Sequence, residues 1–142
     1  MKLHIVTVGQ PKLAYAQAGW KEYLHRLQRF HQVRTTHIAD KHADASHMIA
    51  ATAGSYRVAL DLAGKQFTSL GLARFLEIRA GEGREVSFII GGPTGLPKEL
   101  LETADYRWSF SELTFPHDLA MVILLEALYR ASTISAGYPY HK

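Results

Sequence analysis

The feature that most constrains the fold is an alternation along the chain between apolar residues spaced two apart and apolar residues spaced three or four apart. The first spacing predicts strands and the second predicts amphipathic helices. Strands that alternate with helices indicate an α/β fold in which helices cover both faces of a mostly parallel sheet. The chain has 142 residues and shows neither an internal repeat nor a linker, so we expect a single domain over residues 1–142.

The element boundaries follow from this spacing and from the glycines and prolines between the segments. Strands are predicted at residues 2–8, 33–38, 56–62 and 85–90, and residues 108–115 are expected to form a strand or an extended loop. Helices are predicted at residues 11–30, 41–53, 68–80, 98–104 and 116–135.

The predicted strand "EVSFII" runs directly into "GGPTGLP", residues 91–97. Ligands of parallel sheets bind beyond the carboxyl ends of the strands. Gly91 and Gly92 would let a ligand approach the main chain there, because neither has a side chain. The motif is neither G-x-G-x-x-G nor a P-loop, which disfavours a dinucleotide or an ATP phosphate. The pattern therefore predicts either another kind of cofactor site or a tight turn without a ligand.

The segment that begins at Pro116 is apolar on nearly every side of the predicted helix. Such a helix is expected to be buried all round, and in a small protein a subunit interface is one way to achieve this. Glu126 and Arg130 are four residues apart and therefore share a face. They are expected either to form a buried ion pair or to contact a substrate. His117 is expected to have a structural role.

The C-terminal segment "GYPYHK" is unusually aromatic for a chain end. Tyr138, Tyr140 and His141 could stack on nucleic-acid bases or hydrogen-bond with them. They could equally pack against the domain, and the segment is long enough to reach a neighbouring subunit.

Composition narrows the function classes. The absence of cysteine excludes a disulfide framework and a thiolate metal site, and we expect no metal. The formal net charge of +3 is compatible with an RNA partner without requiring one. No stretch reaches the roughly 20 apolar residues of a membrane span, so a soluble cytoplasmic protein is expected.

Several blocks together resemble one known family. They are "MKLHIVTVG", "VALDLAGKQFTS", "IIGGPTGL", "WSFSELTFPHDLAMVILLEALYRA" and "YPYHK", which occur in order over nearly the whole chain. They are similar to the signature blocks of the small methyltransferases that modify a pseudouridine of the ribosomal large subunit, the RlmH group of the SPOUT superfamily.

The resemblance implies a fold, a cofactor and partners. It implies that the C-terminal part of the α/β domain is threaded into a deep trefoil knot and that two chains form a homodimer. It implies S-adenosylmethionine as the cofactor. It also implies methylation of N(3) of a pseudouridine in a 23S rRNA stem-loop on the assembled ribosome.

The family's cofactor-binding residues correspond here to nine positions. They are Leu60, Gly91, Gly92, Phe110, Ser111, Glu112, Leu113, Thr114 and Phe115. Leu60, Leu113 and Phe115 would form apolar walls, and backbone groups would hold the adenine. For the transfer itself we expect His141 to accept the imide proton, Tyr140 to position the base and Arg130 to stabilise the developing anion.

The chain departs from the family in the segment "IADKHADASHM", which is shorter than in other members and has Lys41 as its only lysine. His37, His42 and His47 stand near it, so the basic surface available to RNA is reduced. Two other classes of function remain open. One is a hydrolase that binds a phosphate or a nucleotide at the glycine loop, although the chain lacks a P-loop lysine and an acidic metal cluster. The other is a non-catalytic module that binds RNA or the ribosome.

Overall fold

The computed structural model describes residues 1–142, which form a five-stranded sheet and the helices around it. The elements in chain order are β1 (Lys2–Val8), α1 (Ala14–Leu27), β2 (Gln32–Ile38), a 3-10 turn (Asp40–His42), α2 (Ala45–Ala51), β3 (Tyr56–Lys65), α3 (Ser69–Glu82), β4 (Val86–Ile90), α4 (Lys98–Thr103), β5 (Tyr106–Trp108) and α5 (His117–Ala136).

All neighbouring strands run parallel, in the order β2-β1-β4-β3-β5. The predicted α/β class with a parallel sheet is therefore confirmed. The central strand β4 is buried along its whole length, as expected for a strand covered on both faces.

Helices cover both faces because the side chains of the central strands alternate. On one face, Leu3, Ile5 and Phe88 join a core cluster with residues of α1, α3 and α5. On the other face, Val6 and Ile89 join a smaller cluster with residues of α2 and α4. The larger cluster contains the apolar side of α5, which packs against α1 and α3.

Four predicted elements differ from the structure, and the first is α1, which spans Ala14–Leu27 rather than residues 11–30. Residues 41–53 do not form one helix, because Asp44 caps a new helix, α2, by accepting a hydrogen bond from the backbone N–H of His47. The extended pairing after residue 105 is limited to Tyr106–Trp108, and residues 109–116 form a loop. The strand β3 does not stop before Gly64 but continues to Lys65 after a shift in register.

Helix α5 agrees closely with its predicted range, since Pro116 precedes its first turn and Gly137 ends it in a left-handed conformation. Contrary to the sequence-based expectation, α5 is long and apolar enough for a membrane span, since its 20 residues contain an 18-residue window with a mean hydropathy of 1.4. In the fold, 44% of that apolar window is buried within the domain. The buried apolar residues of α5 belong to the larger core cluster, which is typical of a core helix.

Candidate functional site

A cavity of about 190 Å³ lies beyond the carboxyl ends of β3 and β4. The loop that follows β4, the loop that follows β5 and the first turn of α5 form its walls. Its position is the one in which parallel α/β sheets place their ligands. Eight of the nine predicted cofactor-binding residues line it: Leu60, Gly91, Gly92, Phe110, Ser111, Leu113, Thr114 and Phe115. The ninth, Glu112, is exposed and does not line the cavity.

The two glycines at the end of β4 differ in their surroundings. A Cβ atom on Gly91 would lie 2.6 Å from the carbonyl carbon of Gly95 and 2.9 Å from the backbone nitrogen of Leu96. A Cβ atom on Gly92 would meet only the side chain of Val8, at 3.4 Å. Gly91 is therefore required by the closure of its own loop, as in the tight turn that was one of the two alternatives from the sequence.

The loop after β5 is held by its own hydrogen bonds. The backbone N–H of Ser109 donates to the carbonyl of Lys65, and the Ser109 hydroxyl donates to the carbonyl of Ser111, at 2.8 and 2.9 Å. The backbone N–H of Leu113 donates to the Ser111 hydroxyl at 3.0 Å. These contacts fix the loop that forms one side of the cavity.

The lining combines apolar side chains with bare backbone. Leu60, Ile90 and Phe115 form apolar surface, while Leu62 and Leu113 remain 57% and 69% exposed. Exposed leucines beside a cavity provide apolar surface that a bound molecule can cover. This combination suits a flat aromatic ring with polar edges.

The first turn of α5 connects the cavity to the start of the chain. The His117 ring donates from Nε2 to the carbonyl of Val8 at 2.7 Å. The Asp118 carboxylate accepts hydrogen bonds from the backbone N–H groups of Lys12 and Leu13, at 2.9 and 2.7 Å. His117 thus holds α5 to the end of β1, which agrees with its expected structural role, and it also lines the cavity.

Sequence reasoning missed several lining residues, namely Asp61, Leu62, Ile90, Pro93, Gly95, Trp108, Ser109, His117 and Ala120. Most of them adjoin residues that were predicted, so a wider window around each motif would have included them. Asp61 and Leu62 enter the lining through the register shift in β3, for which the sequence carries no clear signal.

The three predicted catalytic residues, Arg130, Tyr140 and His141, form a second group together with Glu126, and we call these four residues the tail cluster. Arg130 donates to Glu126 Oε1 from Nε at 2.9 Å and from a terminal nitrogen at 2.7 Å. The Tyr140 hydroxyl donates to the same oxygen at 3.1 Å. The guanidinium also lies over the Tyr140 ring, 4.7 Å from its centroid. Glu126 and Arg130 pair as predicted but are half-buried rather than fully buried.

Protonation states in the tail cluster follow from these contacts. Burial, together with the hydroxyl of Tyr23 and the carboxylate of Glu126, raises the pKa of Tyr140 well above its usual range, so its phenol stays protonated. The hydrogen bond to Glu126 likewise raises the pKa of Arg130. Arginine can only donate, so His141 Nδ1, at 3.3 Å, accepts from Arg130.

The cavity and the tail cluster lie far apart within one chain. Ala120 lines the cavity, and Arg130 is ten residues further along α5. Ten residues of α-helix span about 15 Å. The structure therefore brings the predicted cofactor-binding residues together and the predicted catalytic residues together, but it does not bring the two groups to one place in a single chain.

Between them, one side of α5 carries a half-buried stripe of Leu119, Ile123, Glu126 and Arg130. The other side is core, and Leu124 there is fully buried. Leu124 therefore packs within its own chain and offers no surface to a second subunit. If α5 forms an interface, Leu119 and Ile123 are the apolar residues of the stripe that remain partly exposed for it.

Known proteins match the chain over its whole length. The family model described as "Predicted SPOUT methyltransferase" matches residues 1–141. A relative from Deinococcus radiodurans, named ribosomal RNA large subunit methyltransferase H, is 49% identical over 145 residues, covering 100% of this chain and 99% of the relative. A relative of the same name from Thermus thermophilus is 37% identical over 142 residues, with the same coverage of both chains.

Solved structures with little sequence similarity share the fold. A protein from Haemophilus influenzae described as a probable methylase matches with a TM-score of 0.61 at 10% identity, over 99% of this chain and 70% of that one. TrmJ from Z. mobilis matches with a TM-score of 0.52 at 11% identity, over 94% and 70% of the two chains. The family model and the full-length relatives together show that the chain belongs to the SPOUT methyltransferase family and, within it, to the ribosomal RNA large subunit methyltransferase H group.

Proposed function

We propose that this protein transfers a methyl group to N(3) of a pseudouridine in 23S rRNA, acting in the cytoplasm on the assembled ribosome. The observation that carries the proposal is the cavity beyond β3 and β4, where eight residues expected from the family's cofactor site meet. The names of the full-length relatives supply the substrate class.

S-adenosylmethionine, when bound, would supply the methyl group from its sulfonium. The chain's part is to bind and orient it. Leu60, Leu113 and Phe115 would cover the adenine ring, and the backbone around Gly91 and Gly92 would face its polar edge. Positioning of this kind is a large part of catalysis for an in-line displacement. The domain would carry the trefoil knot of its family, with the C-terminal segment threaded beside this cavity.

A complete active site would need two copies of the chain. A two-fold axis across the stripe on α5 would set the two α5 helices in opposite directions. The tail cluster of one chain would then lie near the cavity of the other. This arrangement removes the separation of about 15 Å along α5 that exists within one chain. In this arrangement the stripe, in which Ile123 adjoins Glu126 and Arg130, would form the contact between the two chains.

Within such a site the tail cluster would handle the proton and the charge. Tyr140 stays protonated, and its hydroxyl would turn from Glu126 to donate its one hydrogen bond to the base. Arg130 would move from His141 Nδ1 to the substrate, where it would stabilise the imide anion. The same movement frees Nδ1 to accept the imide proton, so His141 would act as the general base.

Hybrid dimers test this proposal. One chain would end at Gly137 and lack the tail, while the other would carry Leu60→Arg, which places a long cation in the cavity. Each alone is expected to lose at least about 100-fold in methyl transfer to ribosomes, measured with labelled cofactor. Co-expressed, half of the dimers are hybrids with one intact site of two, so about a quarter of the normal activity should return.

The outcomes separate the alternatives. Mass spectrometry of the modified nucleoside would check that N(3) of a pseudouridine carries the methyl group. Activity in the truncated chain alone would remove the tail from the mechanism, and no recovery in the hybrids would contradict the two-chain site. Ribosome binding without methyl transfer by the intact protein would instead favour a non-catalytic module.

A further inference from the structure

The strand β3 contains an excursion that places two residues in the cavity wall. Leu60 and Lys65 both pair with Trp108 of β5, so the four residues between them leave the ladder. The strand can rejoin the ladder because Gly64 has no side chain. A Cβ atom there would lie 2.6 Å from the carbonyl oxygen of Arg107. The excursion therefore depends on this glycine, and it brings Asp61 and Leu62 to the cavity.

Asp61 is the only acidic side chain among the lining residues. No lysine, arginine or histidine lies within 4.0 Å of its carboxylate. Its one hydrogen bond is from the backbone N–H of Ala63 to Oδ1, at 3.1 Å, which leaves Oδ2 free. His117 is the other ionisable side chain of the lining, and its Nε2 is already bonded to the Val8 carbonyl.

We propose that the Asp61 carboxylate faces the sulfonium of the bound cofactor and makes the cavity select the charged cofactor over its uncharged product. This inference rests on the proposed function. Methyl transfer leaves the sulfur as a neutral thioether, whereas the amino and carboxyl groups of the methionine part stay the same. An unpaired carboxylate beside the sulfur attracts the sulfonium and has no comparable attraction for the thioether. The product then leaves more readily than the substrate cofactor.

The test compares the affinities of S-adenosylmethionine and S-adenosylhomocysteine by calorimetry, without any turnover. Asp61→Asn keeps an oxygen for the Ala63 N–H and removes the charge. We expect it to lower the affinity for S-adenosylmethionine about tenfold, which is about 1.4 kcal/mol. The affinity for S-adenosylhomocysteine should stay within about twofold, because that ligand lacks the sulfonium charge.

Two further variants control for the fold and for charge. Glu77→Gln removes one negative charge from the exposed side of α3, outside the cavity, and should leave both affinities unchanged. Asp61→Glu keeps a carboxylate and should retain part of the preference. Thermal unfolding of each variant would show that the domain is intact.

The remaining outcomes overturn the inference in distinguishable ways. An equal loss of affinity for both ligands would mean that Asp61 contacts a group they share, such as the amino group. Unchanged affinity for both would mean that Asp61 does not face the ligand. If the unmodified protein binds neither ligand, the cofactor assignment fails, and the proposed function fails with it.

Discussion

Replacing Gly91 with alanine tests whether the loop after β4 closes on itself as tightly as the structure indicates. The added Cβ would lie 2.6 and 2.7 Å from the carbonyl carbon and oxygen of Gly95 and 2.9 Å from the nitrogen of Leu96. All three atoms belong to the backbone, so no flexible side chain can yield. Gly91 does not have a positive φ, which means that the expected cost is steric rather than conformational.

The magnitude follows from the cost of overpacking a well-packed site, which is about 1–3 kcal/mol. In a chain of this size, 1 kcal/mol lowers the Tm by roughly 3 °C, so a decrease of about 3–9 °C is expected. The affinity for S-adenosylmethionine should fall at least about tenfold, because the displaced backbone forms a wall of the cavity.

Gly92→Ala is the matched control. Its Cβ would make an ordinary contact with Val8 at 3.4 Å, and its φ is not positive either. Alanine lowers the backbone entropy of the unfolded chain relative to glycine, which should stabilise the folded variant by about 0.5 kcal/mol. Differential scanning calorimetry and cofactor titration would measure both variants. If Gly91→Ala melts and binds like the unmodified protein, the steric argument for this loop is wrong.

Two further predictions concern the interface and pH. Ile123→Arg should give a folded monomer in sedimentation. Leu124→Arg should instead unfold the domain, because Leu124 is fully buried. If Ile123→Arg forms a dimer of normal stability, the stripe on α5 is not the dimer interface. Burial lowers the pKa of His31 to about 4, and it also lowers the pKa of His4. Below about pH 6.5 these histidines are therefore protonated in the unfolded chain but stay neutral in the folded chain. The free energy of unfolding should consequently fall from pH 6.5 towards pH 4. His31→Gln should make that fall shallower in thermal unfolding, and an unchanged slope would contradict the assignment to His31.

The sequence predicted most of the fold because local spacing determines most of it. The parallel class and the extent of α5 follow from apolar periodicity, and Pro116 and Gly137 mark the ends of that helix. The break between the 3-10 turn and α2 was missed because the capping role of Asp44 competes with helix continuation, and spacing alone does not decide between the two.

Most of the cavity lining could be predicted from the sequence, whereas the position of Asp61 could not. Motif blocks identified eight lining residues, since each block occupies one loop at the same edge of the sheet. Asp61 lines the cavity because β3 shifts its register. That shift is possible because Gly64 packs against the backbone of Arg107, which is more than 40 residues away in sequence. Periodicity is local, so it cannot indicate such a contact. The return of Tyr140 and His141 to the side of α5 is likewise a tertiary contact that no local pattern indicates.

The contacts of Asp118 have a consequence for how the chain reaches its native state. Its carboxylate binds the backbone of Leu13, a partner 105 residues earlier in the chain, and α5 supplies much of the larger core cluster. Loop closure over such a separation must precede the gain from those contacts, which slows folding. During synthesis, the strands made first would lack the helix that covers them until α5 had emerged. We therefore expect nascent chains that stop before α5 to remain open and susceptible to proteases, and the completed chain to fold as one late cooperative event.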